Sequence, residues 1–274
     1  MSLGARLPGM TGFQPTNPRT HMSRAPCAMC GTVVKLTKTH IPPRAAFNNG
    51  LGRRMMVGPD NTLVLDRGKL GGLALYGHCE DCRAATSPWD DEYIGWARSI
   101  ADVLLDSEAV GTRPVIQVGA REVRPGRFAR SALAGMTVLA ENLWQTHPEF
   151  VESSRTGAPL TVDAGMRFLV GVTPLNERAE ISGGHGGVLM SVPMAASADV
   201  AEPVMTLSAM VHWPPFSLVL VDARVAPTYP HVDCTSWLEW GVDDIVSPFA
   251  LELPCVRIVS PIIATGRDYQ PAVV

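Results

Sequence analysis

The chain has 274 residues, of which 46% are hydrophobic and 18% are charged, and its formal net charge is -3. This length allows one large domain or two ordinary ones, and the apolar content excludes a chain that is disordered throughout. The charge is distributed unevenly: residues 1–75 contain ten Lys and Arg against two acidic residues, whereas residues 76–274 contain 13 against 24. A basic front part suits an anionic partner such as DNA or RNA, although chance and solubility also produce such a pattern.

The ends and the apolar runs of the chain give no membrane or targeting signal. Residues 1–24 mix Gly, Pro, Thr and Arg without an apolar core, which predicts a disordered or extended tail and a cytoplasmic protein. The longest uncharged run extends from Pro203 to Val221, but His212 and the Pro214-Pro215 pair interrupt it. We therefore expect two buried strands and a turn there, and no membrane partner.

Two Cys-x-x-Cys pairs are the strongest chemical signal in the sequence. Cys27 and Cys30 form the first pair, and Cys79 and Cys82 form the second. Four thiolates in two tight turns supply the closed tetrahedral shell of a structural Zn2+ ion, and a cytoplasmic location favours metal over disulfides. Cys234 and Cys255 lack ligand spacing, so we expect them to be buried core thiols.

The cysteine pairs lie in a predicted zinc module, defined as residues 25–108. Thr32 to Val34 follow the first pair as one arm of a hairpin, and short strands are predicted at Thr62–Leu65 and Leu73–Tyr76 around a Gly-rich turn. Ser87 is the expected N-cap of an amphipathic helix that continues to about residue 106, because Pro88 and Asp90 follow it in a capping pattern.

Residues 109–274 form a second predicted region, an α+β domain whose role the sequence does not identify. A strand is predicted at Pro114–Val118 and a long amphipathic helix at 126–145. Further strands are predicted at 166–172, 186–192, 204–212, 216–222 and 255–262. Since few helices separate these strands, we expect a mostly antiparallel sheet.

His40 lies between the two cysteine pairs, in the sequence His40-Ile41-Pro42-Pro43. The order Cys-x-x-Cys, His-Ile-x-Pro, Cys-x-x-Cys resembles the zinc-flanked HNH endonuclease family over residues 25–95. That resemblance implies a ββα-metal fold of treble-clef type in which His40 ends a strand. It also implies that His40 acts as the general base for phosphodiester hydrolysis, opposite a catalytic divalent cation such as Mg2+ or Mn2+.

The chain departs from the family pattern at three positions. Thr39 stands where the family has a His, Asp or Glu that binds the cation, and Arg83 stands where a His or Asn follows the last cysteine. The family's Asn before the second pair is also missing, since Leu73 and Ala74 occupy that place. The remaining acidic candidates for cation binding are the helix-start residues Asp90, Asp91 and Glu92, for which capping is the simpler interpretation.

Several other residues have both a functional and a structural interpretation. His78 either donates to the zinc shell or faces a phosphate, or it is a structural residue that is next to the zinc ligands or exposed. Gly183–Gly187 is either a ligand-binding loop or a hairpin turn. The aromatic residues at 213–216 and 237–240 form either an interaction surface or part of the core. Four arginines either bind an acidic partner or form intramolecular pairs on a solvated face: Arg121, Arg124, Arg127 and Arg130.

Together these features predict a nucleic-acid-associated zinc protein with an HNH-like module, and specifically a divergent metal-dependent endonuclease. The alternative is a catalytically inactive binding or scaffold protein that acts on a protein partner through its C-terminal domain, and a third hypothesis is a C-terminal enzyme that uses zinc only for its fold. The basic side chains expected to contact DNA or RNA are Lys35, Lys38, Arg44, Arg53 and Arg54.

Overall fold

The computed structural model describes residues 24–48, 52–57, 63–65, 72–105, 115–140, 143–160, 165–173, 187–195, 205–223 and 226–256. The predicted tail lies outside these residues except for Arg24, and so does Gly183–Gly186 of the glycine-rich segment. The prediction of mixed α and β structure, with mostly antiparallel pairing and a long helix, is confirmed. Among the described residues, no helix combines the length and the apolar character needed to cross a membrane.

Short strands and two helices make up the part of the chain around the cysteine pairs. The strands are β1 (Arg24–Pro26), β2 (Val33–Lys35), β3 (Thr37–His40), β4 (Gly52–Val57), β5 (Leu63–Leu65) and β6 (Ala74–His78). Helix α1 (Glu80–Thr86) follows β6, and helix α2 (Asp90–Leu105) follows after one turn of 3-10 helix.

Longer strands and three further helices make up the rest. The helices are α3 (Pro125–Leu139), α4 (Leu143–Thr146) and α5 (Pro148–Thr156). The strands are β7 (Val115–Val123), β8 (Met166–Val172), β9 (Gly187–Ala195), β10 (Met205–Trp213), β11 (Phe216–Asp222), β12 (Val232–Asp233) and β13 (Val246–Pro254).

A seven-stranded sheet in the order β12-β8-β11-β10-β9-β4-β5 is the largest sheet of the described residues. All of its pairs are antiparallel except β4 with β9. The uncharged run forms the β10–β11 hairpin, as predicted, because Trp213 and Phe216 pair across the Pro214-Pro215 turn. Three two-stranded sheets join β1 to β2, β3 to β6, and β7 to β13.

The strands predicted at Thr62–Leu65 and Leu73–Tyr76 are present as β5 and β6. They belong to different sheets, because β5 joins the large sheet through β4 whereas β6 pairs with β3. Of the strand predicted at 255–262, residues 257–262 lie outside the described range, and Cys255 forms an isolated bridge with Val172. The last described strand is Val246–Pro254. Pairing with β7 selects this segment, and such a long-range contact leaves no local signal.

The helix predictions also need two corrections. Ser87 is not an N-cap: it is the C-cap of α1, and its hydroxyl donates to the Ala84 carbonyl at 3.4 Å instead of accepting from a following amide. The helix predicted at 126–145 ends at Leu139, because Ala140 leaves the helical conformation with φ -106° and ψ 68°. The separate helix α4 then begins at Leu143.

An aromatic cluster joins α2, α3 and the large sheet. Phe128 stacks on Tyr93 with a centroid distance of 5.1 Å and on Trp96 at 4.8 Å. Phe216 and Trp237 pack edge-on against the same ring at 5.1 and 5.7 Å, which favours the core interpretation of these aromatic residues. Trp213 is also buried, and Trp240 remains 41% exposed. One apolar cluster thus extends from the cysteine pairs to β13.

The predicted arginine row is used inside the molecule where its side chains are described. Arg124 approaches Glu92 at 3.9 Å, and Arg127 forms an ion pair with Asp243 at 2.5 Å. Arg130 is completely buried and donates to backbone carbonyls. These contacts agree with the interpretation of the arginines as intramolecular partners. Arg130, however, is buried and does not lie on the expected solvated face. The side chain of Arg121 lies outside the described residues.

Candidate metal centre and adjoining cavity

The four paired cysteines converge on one point. The Sγ atoms of Cys27, Cys30, Cys79 and Cys82 all lie within 4.8 Å of one another, and the Cys30 and Cys79 sulfurs are 3.9 Å apart. Thiolates at about 2.3 Å from a zinc ion form a tetrahedron with edges of roughly 3.8 Å. The cluster therefore fits a structural metal such as zinc, as the spacing predicted.

The first pair is held by a tight turn between β1 and β2. The Gly31 amide donates to the Cys27 carbonyl at 2.9 Å, and Gly31 adopts a left-handed φ of +70° that favours glycine. The Met29 amide donates to the Cys27 sulfur at 3.4 Å. Antiparallel pairing of Ala25 with Val34 closes the predicted hairpin around this turn.

The second pair is held by the start of α1. Cys79 is the N-cap of that helix, and its sulfur accepts from the Cys82 amide at 3.4 Å. The Cys79 amide in turn donates to the Cys27 sulfur at 3.3 Å, which links the two turns. Amide donors at a helix N-terminus stabilise a thiolate, so the backbone around the second pair favours ionised cysteines.

The electrostatics of the cluster favour an ionised Cys27. Its pKa is lowered, first by a hydrogen bond with the Cys82 thiol and further by backbone amides, although burial opposes the shift. The pKa of Cys82 is raised for the converse reason, since it faces the Cys27 thiolate and is buried. A bound cation removes this competition because it stabilises all four thiolates together.

His40 lies at the end of β3, where it pairs with Ala74 of β6, and it faces a cavity of about 240 Å³. The cavity extends between the two-stranded β3–β6 sheet, the α1–α2 connection, α3 and the large sheet. The ionisable residues that line it include Lys38, His40, Arg44, Arg83, Asp90 and Tyr93.

The His40 imidazole is half-buried and partly unsatisfied. Its Nδ1 is buried and has no hydrogen-bond partner among the described residues. Burial lowers the pKa of His40, and the positive charges of Lys38 and Arg44 lower it further. The ring is therefore neutral near pH 7, with a lone pair available to accept a proton.

Thr39 and Arg83, which stand where the HNH family has its cation ligands, interact with other side chains. Thr39 Oγ1 lies 3.4 Å from His78 Nδ1, and Arg83 forms an ion pair with Glu80. Among the described residues, the four cysteines are the single group of three or more His, Cys, Asp and Glu with metal-binding geometry. The described residues therefore do not support a catalytic divalent cation.

His78 is a structural histidine that joins the cysteine cluster to α3. It is 1% exposed, and its Nε2 lies 2.9 Å from the Thr137 hydroxyl. Because that hydroxyl donates to the Ala134 carbonyl at 2.8 Å, Nε2 carries the proton and Nδ1 accepts from Thr39. Burial lowers the pKa of His78 to about 4, so the ring is neutral. Of the two structural alternatives for His78, its burial excludes an exposed residue and leaves one next to the cysteine cluster.

Asn48 closes the loop that follows His40, a role that the sequence analysis missed. Its side-chain amide donates to the Pro42 carbonyl at 2.6 Å and to the Leu73 carbonyl at 2.9 Å. Its oxygen accepts from the Leu73 amide at 2.6 Å. Asn48 thus binds the backbone at Leu73, the position at which this chain lacks the asparagine of the HNH pattern. The Asn48-Asn49-Gly50 sequence had indicated only a turn.

Asp90 is the acidic residue of the cavity. Burial raises the pKa of its carboxyl to about 6, while a hydrogen bond from the Ser131 hydroxyl at 2.6 Å opposes the shift. The neighbouring Glu92 is used elsewhere, since it accepts from the Trp96 ring nitrogen at 2.7 Å and from the Arg124 amide at 3.1 Å. Nothing in the local sequence of α3 indicated that Ser131 would reach this site.

The predicted nucleic-acid contacts separate into three groups. Lys38 and Arg44 are exposed and line the His40 cavity. Lys35 is exposed on β2 and is not among the residues that line the cavity. Arg53 and Arg54 lie on β4, where their backbone pairs with β9, and their side chains are outside the description.

Comparison with protein-family models, with curated proteins and with solved structures finds no match to this chain.

Proposed function

We propose that this chain is a nucleic-acid-associated zinc protein whose HNH-like module, of treble-clef type, hydrolyses a phosphodiester with His40 as general base. The observation that carries the proposal is the unpartnered Nδ1 of His40 in a cavity lined by Lys38, Arg44 and Arg83. The two-stranded sheet in which β3 ends at His40 and β6 leads into a cysteine-capped helix supports the same assignment.

The cavity residues supply two of the requirements for phosphodiester hydrolysis. A neutral His40 accepts a proton from water as the water oxygen attacks phosphorus, and the departing ester oxygen takes a proton from solvent. Cationic side chains offset the negative charge that increases on the phosphoryl oxygens. Lys38 and Arg44 are placed for this role, whereas the charge of Arg83 is shared with Glu80. No step in this proposal requires a catalytic cation.

The first test compares cleavage by wild type and by His40→Ala. We expect wild type to cut DNA or RNA, and the variant to cut at least about 10²-fold more slowly, because it lacks the base. The substrates are single- and double-stranded DNA and RNA, each with Mg2+, Mn2+, Ni2+ or a mild chelator. His147→Ala is the matched control, since that histidine pairs with Glu149 and does not line the cavity.

The pH dependence of cleavage provides a second test. The pKa of His40 lies below its ordinary value, so the base is protonated in acid and becomes neutral as pH rises. We expect the rate to increase with pH in the acid range and to be level from neutral pH upward. A rate that instead rises tenfold per pH unit above neutrality would indicate hydroxide attack without His40.

Binding without hydrolysis is the second candidate. Two contacts favour it: Thr39 is hydrogen-bonded to His78, and Arg83 is paired with Glu80. The described cavity residues therefore include no cation site of the family type. Folded, zinc-loaded wild type that binds nucleic acid but does not cut it under any of the metal conditions would select this candidate. Cutting that is equal in wild type and His40→Ala would contradict the proposed base.

A further inference from the structure

One of the four cluster sulfurs faces solvent. Cys30 is exposed, whereas Cys27, Cys79 and Cys82 are buried. In a zinc shell each sulfur is held as a thiolate, which is the nucleophilic form of cysteine. The Cys30 sulfur lies 3.3 Å from the Thr32 hydroxyl, in a contact that is itself exposed. A small reagent in solvent therefore reaches this sulfur without any opening of the cluster.

An open groove on the surface leads to Cys30. Its volume is about 680 Å³. A water molecule occupies roughly 30 Å³ in the liquid, so a reagent as small as hydrogen peroxide enters the groove freely. Besides Cys30, the groove is lined by Met29, Trp144, Pro148, Glu149, Glu152 and Arg155.

The groove suits an uncharged reagent. Two carboxylates and one guanidinium line it, so its formal charge is negative and it does not attract anionic oxidants. The guanidinium is that of Arg155, which pairs with Glu152 at 2.6 Å. A Cβ atom at Gly31 would lie 2.6 Å from the Trp144 ring, so this wall of the groove packs directly on the turn that carries Cys30.

A second sulfur lies within reach of Cys30. The Cys79 sulfur is 3.9 Å away, and a disulfide bond of about 2.05 Å requires an approach of roughly 2 Å. Among the described residues, the Cys79 sulfur accepts from one backbone amide, whereas the Cys27 sulfur accepts from two. Cys79 gives up fewer hydrogen bonds on forming a disulfide, so it is the better partner for Cys30.

We propose that Cys30 is a peroxide-sensitive modification site, and that its oxidation to a disulfide with Cys79 dismantles the four-sulfur cluster. Exposure of a thiolate beside a second, resolving cysteine is the arrangement that makes a cysteine responsive to peroxide. Oxidation at Cys30 does not depend on hydrolysis by His40, and it goes beyond the proposed function.

The reaction consists of two displacements. The Cys30 thiolate attacks one oxygen of hydrogen peroxide, the O–O bond breaks, and hydroxide leaves, so that Cys30 becomes a sulfenic acid. The Cys79 thiolate then attacks the Cys30 sulfur and displaces a second hydroxide, which forms the disulfide. Two thiolates lose two electrons in total, and one hydrogen peroxide is reduced to two hydroxide ions. The two remaining thiolates, Cys27 and Cys82, do not complete the tetrahedral shell that structural zinc requires.

Loss of the cluster affects the His40 strand through β6. Cys79 directly follows His78, the last residue of β6, and β6 pairs with β3, which ends at His40. The Cys79 side chain is also the N-cap of α1. Oxidation is therefore expected to disturb the metal centre and the surroundings of His40 together.

The first measurement uses the full-length, zinc-loaded wild type at neutral pH. Hydrogen peroxide is added, zinc release is followed with a chromogenic chelator, and disulfides are mapped by peptide mass spectrometry. We expect release of one zinc ion per chain with a link between Cys30 and Cys79, and recovery after addition of a thiol reductant and zinc. Alkylation with iodoacetamide should modify Cys30 before the other three cluster cysteines, because it is the exposed one.

Exchange of single ligands tests which sulfur reacts. Cys30→His keeps a four-ligand shell of a common structural type but removes the exposed thiolate, so we expect zinc release at least about tenfold slower than in wild type. Cys82→His is the matched control, since it makes the same exchange at a buried sulfur and should release zinc at close to the wild-type rate. Zinc content is measured before peroxide is added, and the wild-type measurements do not depend on either variant.

Other results overturn the proposal. A first disulfide that lacks Cys30 or Cys79, or first alkylation at a buried cluster cysteine, would show that the cluster opens before it reacts. Equal release from Cys30→His and wild type would place the reactive sulfur elsewhere. Wild type that binds no zinc overturns the metal centre and the peroxide site with it, whereas zinc-loaded wild type that does not cleave nucleic acid overturns only the proposed function.

Discussion

Replacing Cys82 with serine is expected to abolish stoichiometric zinc binding and to lower the melting temperature by about 10 °C or more. Three of the four cysteines are buried, and the apolar cluster that surrounds them extends through α2 and α3. The free energy of binding a structural zinc ion is therefore coupled to folding of much of the described chain. The measurements are metal content by mass spectrometry and thermal unfolding by circular dichroism.

Cys255→Ser is the matched control, because that half-buried cysteine is not part of the four-sulfur cluster. It should retain one zinc ion per chain and unfold close to the wild-type temperature. A strong chelator added to wild type should reproduce the Cys82→Ser result. Retention of zinc by Cys82→Ser, or loss of zinc without any change in unfolding, would contradict a structural four-thiolate site.

Arg130→Met is expected to lower the free energy of unfolding by about 3–5 kcal/mol. The Arg130 guanidinium is fully buried and donates to five backbone carbonyls at 2.5 to 3.1 Å, those of Gly126, Ser153, Ala158, Leu238 and Trp240. Methionine fills part of the volume but removes all five guanidinium hydrogen bonds, although the Ser153, Ala158 and Leu238 carbonyls each keep one other donor. Burial lowers the pKa of Arg130 to about 10, so the side chain remains charged at neutral pH.

Urea denaturation of wild type and variants measures this effect. Arg155→Gln is the control, since Arg155 pairs with Glu152 at 2.6 Å on the surface, where such pairs contribute less than about 1 kcal/mol. Arg130→Lys should be intermediate, because an ammonium group keeps the charge but cannot reach all five carbonyls. A loss below about 1 kcal/mol in Arg130→Met would show that water or rearrangement satisfies the carbonyls instead.

The burial of Arg130 also shows why sequence periodicity did not predict the environment of this side chain. Arg124, Arg127 and Arg130 are spaced three apart at a helix start, a pattern that is typical of an exposed basic face. This local pattern cannot indicate Leu238 and Trp240, whose carbonyls accept from Arg130 although they lie more than 100 residues away along the chain. The local sequence around an arginine is the same whether distant acceptors bury its charge or water solvates it.

The sequence by itself determined the features that depend on neighbouring residues. Cys-x-x-Cys spacing places two sulfurs on one turn, and Gly31 permits the left-handed residue that follows the first pair. The uncharged run interrupted by Pro214-Pro215 determined the β10–β11 hairpin, because register across a tight turn follows from local backbone geometry.

Only the tertiary structure decided the surroundings of His40. Asn48 reaches Leu73, Thr137 reaches His78, and Ser131 reaches Asp90 across 25, 59 and 41 residues of chain. The contact of His78 with Thr137 depends on where α3 packs against the β3–β6 sheet, which the close approach at Gly77 and Gly135 makes possible. Local propensity selects turns and helices, whereas packing between distant segments decides which polar groups are satisfied and which, like the Tyr93 hydroxyl, have no partner among the described residues.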